Sequence, residues 1–126
     1  MANKMTLKPG RRHPITVVPA GVRIVVRIAG QVIADSSSAL TVREADYAAV
    51  HYFPREDVDI SALERTSHAS YCPFKGEAAY FSVPVAGERG INAVWVYEEP
   101  YEAVSRTKDY VAFYANRMDS VEELPL

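Results

Sequence analysis

Val22-Arg23-Ile24-Val25-Val26-Arg27-Ile28 sets Val22, Ile24, Val26 and Ile28 on one side of an extended chain and Arg23 and Arg27 on the other. Side chains of a strand alternate between faces, so the stretch predicts a strand with one face buried and one wet. Ala29-Gly30 follows and Gln31–Ala34 resumes the apolar character, which predicts a tight hairpin, because glycine accepts positive φ at no steric cost. Asp35-Ser36-Ser37-Ser38 is a polar break suited to a loop. Further out, Leu40–Glu44 and Val50–Phe53 read as strands, the second stopped by Pro54. Thr66–Cys72 and Glu77–Val83 flank Pro73-Phe74-Lys75-Gly76 and read as a second hairpin. Ile91–Tyr97 carries Ile91, Ala93, Trp95 and Tyr97 on one face and Val94 and Val96 on the other, the pattern of a central strand with Trp95 buried. Tyr110–Ala115 is the last strand, and Asp59–Leu63 and Tyr101–Ser105 suit short helical turns. About eight short strands with little helix predict a mainly β fold: a compact antiparallel sheet, sandwich or partly closed barrel with one or two short helices.

The chain has 126 residues, 48 % of them hydrophobic and 24 % charged, the composition of one globular domain. No run approaches the roughly 18 apolar residues of a membrane span, so no membrane partner is expected. The net charge of −2 and the pI near 5.9 give no global basic character, which makes nucleic acid an unlikely partner. Cys72 is the one cysteine, which excludes an internal disulfide framework and a four-cysteine zinc site, and no metal is expected. An unpaired cysteine and a start without an apolar leader point to the cytoplasm. The charges divide the chain into a flexible basic arm over 1–14 (Lys4, Lys8, Arg11, Arg12), one β domain over 15–117, and an acidic tail over 118–126 (Asp119, Glu122, Glu123).

Five segments together resemble the domain-of-unknown-function 427 family, which also carries a nucleotidyltransferase label. They are Gly30-Gln31-Val32-Ile33-Ala34-Asp35-Ser36; Tyr52-Phe53-Pro54 with Asp57-Val58; Cys72-Pro73-Phe74-Lys75-Gly76 with Ala79 and Tyr80; Trp95-Val96-Tyr97 with Pro100; and Tyr110-Val111-Ala112-Phe113-Tyr114. The resemblance implies a compact, mainly β domain similar to the Mss4-like folds, and no established activity. The chain lacks the Gly-Ser pair and spaced aspartates of ordinary nucleotidyltransferases. It also lacks the paired CxxC motifs through which Mss4-like relatives hold zinc.

The candidate catalytic residues are Cys72, Lys75 and Glu44. A turn between Cys72 and Gly76 brings the Lys75 ammonium toward the sulfur, and a nearby cation raises the thiolate fraction. Lys75 alternatively holds an anion, or is a solvated turn lysine, and Cys72 alternatively is an inert buried thiol. Glu44 follows Leu40 and Val42 with period two, so it points with them into an apolar face unless the strand ends first. An unpaired carboxylate there has a raised pKa and suits general-base work. In extended chain the Cα atoms of His68 and Cys72 are roughly 13 Å apart, too far for a dyad, and His51 could approach only from another strand. Asp35 and Ser36 either bind ligand or close a turn through their own side chains. Tyr52, Trp95 and Tyr97 either line a cleft or pack the sheet with hydroxyls at its rim. No motif names a cofactor, which stays unknown. The expected function is a polar pocket that binds, and in its fuller form acts on, a small anionic or polar ligand. The alternative is a non-catalytic interaction module forming a homodimer through a tyrosine-rich surface.

Overall fold

The computed structural model describes residues 5–126 and is mainly β. Its strands are β1 (Ile15–Pro19), β2 (Arg23–Ile28), β3 (Gln31–Ser36), β4 (Leu40–Glu44), β5 (Val50–Tyr52), β6 (Glu64–Cys72), β7 (Gly76–Ser82), β8 (Val94–Tyr97), β9 (Val111–Phe113) and β10 (Ser120–Leu124). The helical pieces among the described residues are short 3-10 turns; the stretches Pro84–Gly90 and Glu102–Thr107 are each two such turns separated by a non-helical residue, Gly87 and Val104. None is long and apolar enough to cross a membrane.

The opening hairpin is β2–β3. Ala29 and Gly30 form its two-residue turn at φ +51° and +74°, the left-handed pair whose twist matches the flanking strands. Ile24, Val26 and Ile28 are at most 1 % exposed, as their alternation predicts. β3 runs through Asp35 and Ser36, which pair with Val25 and Ile24, so the loop begins later than the polar residues suggested. On the other side of β2 lies β10, with Val121 opposite Val26.

The remaining strands form two antiparallel sheets, β1-β4-β5 and β6-β7-β8-β9. Phe53 and Val111 exchange two backbone hydrogen bonds of 2.8 Å, which joins the ends of β5 and β9. The strands thus follow one another as β1-β4-β5-β9-β8-β7-β6, curling without closing into a barrel.

Alternation along the central strands serves two cores. Val94, Val96, Val111, Phe113 and Phe53 join Ile24, Val26 and Ile28 in the first. Tyr97, Ala112, Tyr52, Tyr80 and Val42 make the second, with Trp95 packed at its side. β8 is therefore covered on both faces, as the run of apolar residues required. Its start differs from expectation. Asn92 sits at φ +51° and Ile91 is 53 % exposed, so the strand begins at Val94. Ala93 packs in the first core while Trp95 faces the second, and Trp95 is half-buried rather than buried.

The termini also differ. Lys4 lies outside the described residues, and Lys8, Arg11 and Arg12 are exposed. The segment around them nevertheless bonds to the β6–β7 hairpin: the Leu7 N–H donates to the Pro73 carbonyl at 2.8 Å, and the Tyr71 hydroxyl donates to the Met5 carbonyl at 2.6 Å. The stretch read as an acidic tail contains β10. Its acids have partners: Glu122 pairs with Arg27 of the neighbouring β2 at 2.5 Å, and Glu123 lies 3.0 Å from His51 Nε2 of β5. Acidity here marks a charged edge strand, a common guard against edge-to-edge pairing. Ending the chain at Met118 should therefore lower the unfolding free energy in urea by more than about 0.5 kcal/mol, beyond what a solvated tail contributes.

Candidate functional site

The β6–β7 turn is built for close approach. Its Lys75 N–H donates to the Cys72 carbonyl at 3.2 Å, and the Tyr101 N–H donates to the Lys75 carbonyl at 3.0 Å. Gly76 follows at φ +109°, with the Glu99 carbonyl oxygen 3.3 Å from where a Cβ would stand. Both the backbone angle and the space select glycine.

This turn aims Lys75 at Glu44. Nζ lies 2.5 Å from Glu44 Oε1, and His13 Nε2 lies 2.7 Å from Oε2. The side chains are 16 %, 10 % and 25 % exposed for Lys75, Glu44 and His13. His13 in turn stacks flat on Phe74, with ring centroids 3.9 Å apart, and meets Tyr47 edge-on. Glu44 does end β4 on the buried side, as its period-two position implied. Its acidity goes the other way from the expectation of a general base. Burial pushes its pKa up, but the hydrogen bonds and charges of Lys75 and His13 outweigh that and hold it below the ordinary value. With both oxygens engaged, Glu44 is an ionised anchor. Lys75 is correspondingly no solvated turn lysine.

The aromatic candidates converge on the same core. Tyr52 and Tyr97 are 2 % and 6 % exposed, with ring centroids 6.3 Å apart, and Trp95 stands edge-on to Tyr52 at 6.2 Å. Trp95 Nε1 donates to the Tyr52 hydroxyl at 3.3 Å. Burial pushes both tyrosine pKa values well up, and the negative charge of Glu44 pushes the same way. Cys72 is a free, half-buried thiol. Six of the candidates, Glu44, Tyr52, Cys72, Lys75, Trp95 and Tyr97, thus gather at one end of the second core.

Asp35 and Ser36 are placed elsewhere. Asp35 is exposed and accepts from Arg23 Nε and Nη2 at 2.8 and 2.7 Å, and those bonds lower its pKa. Ser36 is buried, donates to Asp57 Oδ2 at 2.6 Å and accepts from the Ser38 N–H at 2.9 Å, the turn-closing role open to it in the sequence. Neither candidate histidine pairs with Cys72: His51 contacts Thr41 and Glu123, and His68 stands edge-on to Tyr80. Among the described residues no group of three or more histidine, cysteine, aspartate or glutamate side chains could hold a metal ion. His13 was missed in the sequence. It lies 31 residues from Glu44 in a stretch read as an arm, and no spacing rule links the two. An open cleft of about 610 Å³ adjoins the cluster through Phe74 and lies between Leu7, Ile15 and Tyr101.

Three outcomes follow from this geometry. Lys75→Met should cost about 1–3 kcal/mol by stranding a mostly buried carboxylate, and the double variant with Glu44→Gln should cost less than the sum. A folded-state pKa below the ordinary 4.5 means that Glu44 stabilises the protein above that pH and that the contribution is lost as pH falls through the lowered value. Acid titration of stability should accordingly show the wild type and Glu44→Gln converging below pH 4.5. Gly76→Ala should destabilise by about 1 kcal/mol or more, measured by urea unfolding, since alanine resists positive φ.

Residues 16–124 match the family described as a domain of unknown function (DUF427). No curated protein matches the sequence. The matched stretch reaches from β1 to the last residue of β10 and contains the β6–β7 turn, Glu44 and the Tyr52, Trp95 and Tyr97 aromatics. Covering most of the chain and all but His13 of the cluster just described, this match makes the protein a member of the DUF427 family.

Proposed function

We propose that this domain binds a small anionic or polar molecule at the end of the second core, among Tyr97, Tyr52, Cys72 and the Glu44–Lys75 pair. The Tyr97 hydroxyl carries the proposal. The residue is 6 % exposed, yet its hydroxyl has no hydrogen-bond partner among the described residues. Among the described residues no fully buried side-chain oxygen lacks a partner, so this hydroxyl touches solvent. Tyr52 accepts from Trp95 and keeps its own proton to donate. Burial keeps both phenols protonated at neutral pH, so the pair offers two donors to an acceptor-rich guest. Lys75 adds positive charge, which Glu44 shares.

Catalysis at this site would fall to Cys72 as nucleophile, with Lys75 and Glu44 fixing its surroundings. A cytoplasmic setting belongs to the same proposal and rests on the one unpaired cysteine. Self-association through tyrosines is the rival, and it has less surface to use. Tyr47 and Tyr114 are exposed, while Tyr52, Tyr80 and Tyr97 are buried.

Thermal shift with inorganic phosphate, citrate and a nucleoside monophosphate, at constant ionic strength, tests the proposal. A ligand at a hundredfold excess over its Kd stabilises by about 2.7 kcal/mol. Tyr97→Phe should keep the unliganded stability within about 0.5 kcal/mol, because it removes a hydroxyl with no protein partner, and should lose the ligand-induced shift. An undiminished shift in Tyr97→Phe would overturn the assignment.

A further inference from the structure

A second cleft, about 550 Å³, opens on the far side of Trp95 between β6, the Ile91–Asn92 turn and the residues after β9. We infer that it is a binding site for a small carboxylate, held by the Arg117 guanidinium and the Asn92 amide and supported by the Tyr114 and Tyr80 hydroxyls.

Arg117 is a cation held in place by neutral groups. One of its nitrogens donates to the Ile91 carbonyl, and its guanidinium carbon lies 5.5 Å from the Tyr114 ring centroid. Arg23, Arg27, Arg65 and Arg89 each face a carboxylate, whereas Arg117 has none among the described residues. A guanidinium has five donors, so most of its fork is unspent and matches a carboxylate in shape.

Asn92 is fixed as firmly. Its backbone N–H donates to Ser82 Oγ at 2.9 Å, and its Oδ1 accepts from the Thr66 hydroxyl at 2.6 Å. With Oδ1 on Thr66 the NH2 turns away from it, and that NH2 has no acceptor among the described residues. The residue holds φ +51°, which asparagine tolerates better than most.

The cleft wall is a chain of hydroxyls. Tyr80, 6 % exposed, bonds Ser70 Oγ at 2.8 Å and the Tyr114 hydroxyl at 3.3 Å. Burial and the Tyr80 bond push the Tyr114 pKa up to about 12, so the phenol stays a donor at neutral pH. Trp95 packs against Tyr114, with centroids 4.6 Å apart. The acid in the lining is Glu88, which is exposed. One guanidinium against one carboxylate favours a singly charged guest over a phosphate dianion, because the second charge would be repelled.

The test is a titration of the isotope-labelled full chain, following the Asn92, Arg117 and Tyr114 resonances. Sodium acetate is compared with sodium chloride and inorganic phosphate at equal ionic strength, which removes general screening. Acetate should give saturable shifts confined to these residues and bind more tightly than phosphate. Arg117→Gln should weaken acetate at least tenfold. Asn92→Asp, which keeps the left-handed backbone accessible and replaces the NH2 by a charged oxygen, should do the same and decides the matter if Arg117→Gln does not fold. Tyr97→Phe should leave acetate binding here unchanged, which separates this site from the one at the second core. Shifts that never saturate, an unchanged affinity in the folded variants, or tighter phosphate binding would overturn the inference.

Discussion

The ion cluster of Glu44, Lys75 and His13 ties together parts of the chain that the sheet hydrogen bonds leave apart. Glu44 ends β4, Lys75 sits in the β6–β7 turn, and these two regions stand toward opposite ends of the strand succession. A mostly buried carboxylate is tolerable only when its lone pairs are met, and two cationic or polar donors meet them here. The end of β4 is thereby held against the β6–β7 turn. The backbone bonds of Phe53 with Val111 join the two sheets in the middle of the succession.

The two cores explain why β8 and β9 tolerate so little polarity. Their alternate residues serve different cores, so neither face is free for water. The price falls on the second core, which is rich in tyrosine and must find partners for its hydroxyls. Tyr80 solves this through Ser70 and Tyr114, and Tyr52 through Trp95. Tyr97 does not. An unspent donor beside a free thiol and an ion pair is therefore the chemical signature of that end of the core.

Trp95 connects the two candidate sites. It donates to Tyr52 on one side and packs against Tyr114 on the other, and half-burial suits a ring that separates a core from a cleft. A tryptophan has an apolar body and one polar edge, so it can wall one site and order the other. Both sites are lined mainly by hydrogen-bond donors, which is what acceptor-rich or anionic molecules require.

The alternation in Val22–Ile28, the Ala29-Gly30 turn and the Pro73–Gly76 link determined the β class and both hairpins, because strand period and turn chemistry are local properties. The buried position of Glu44 was legible for the same reason. β1 and β10 escaped notice because edge strands keep much of their surface wet, which blurs the alternation; Val18 is 45 % exposed, and the acids of β10 read as a tail. Ser36 and Asp35 showed their polarity in the sequence but not their partners, Asp57 and Arg23. Only tertiary structure decided that Glu44 is ionised rather than a poised base, since its partners come from 31 residues away in either direction. A carboxylate's charge state depends on what lies within a few ångströms of it, and distance through space is the quantity a linear pattern does not carry.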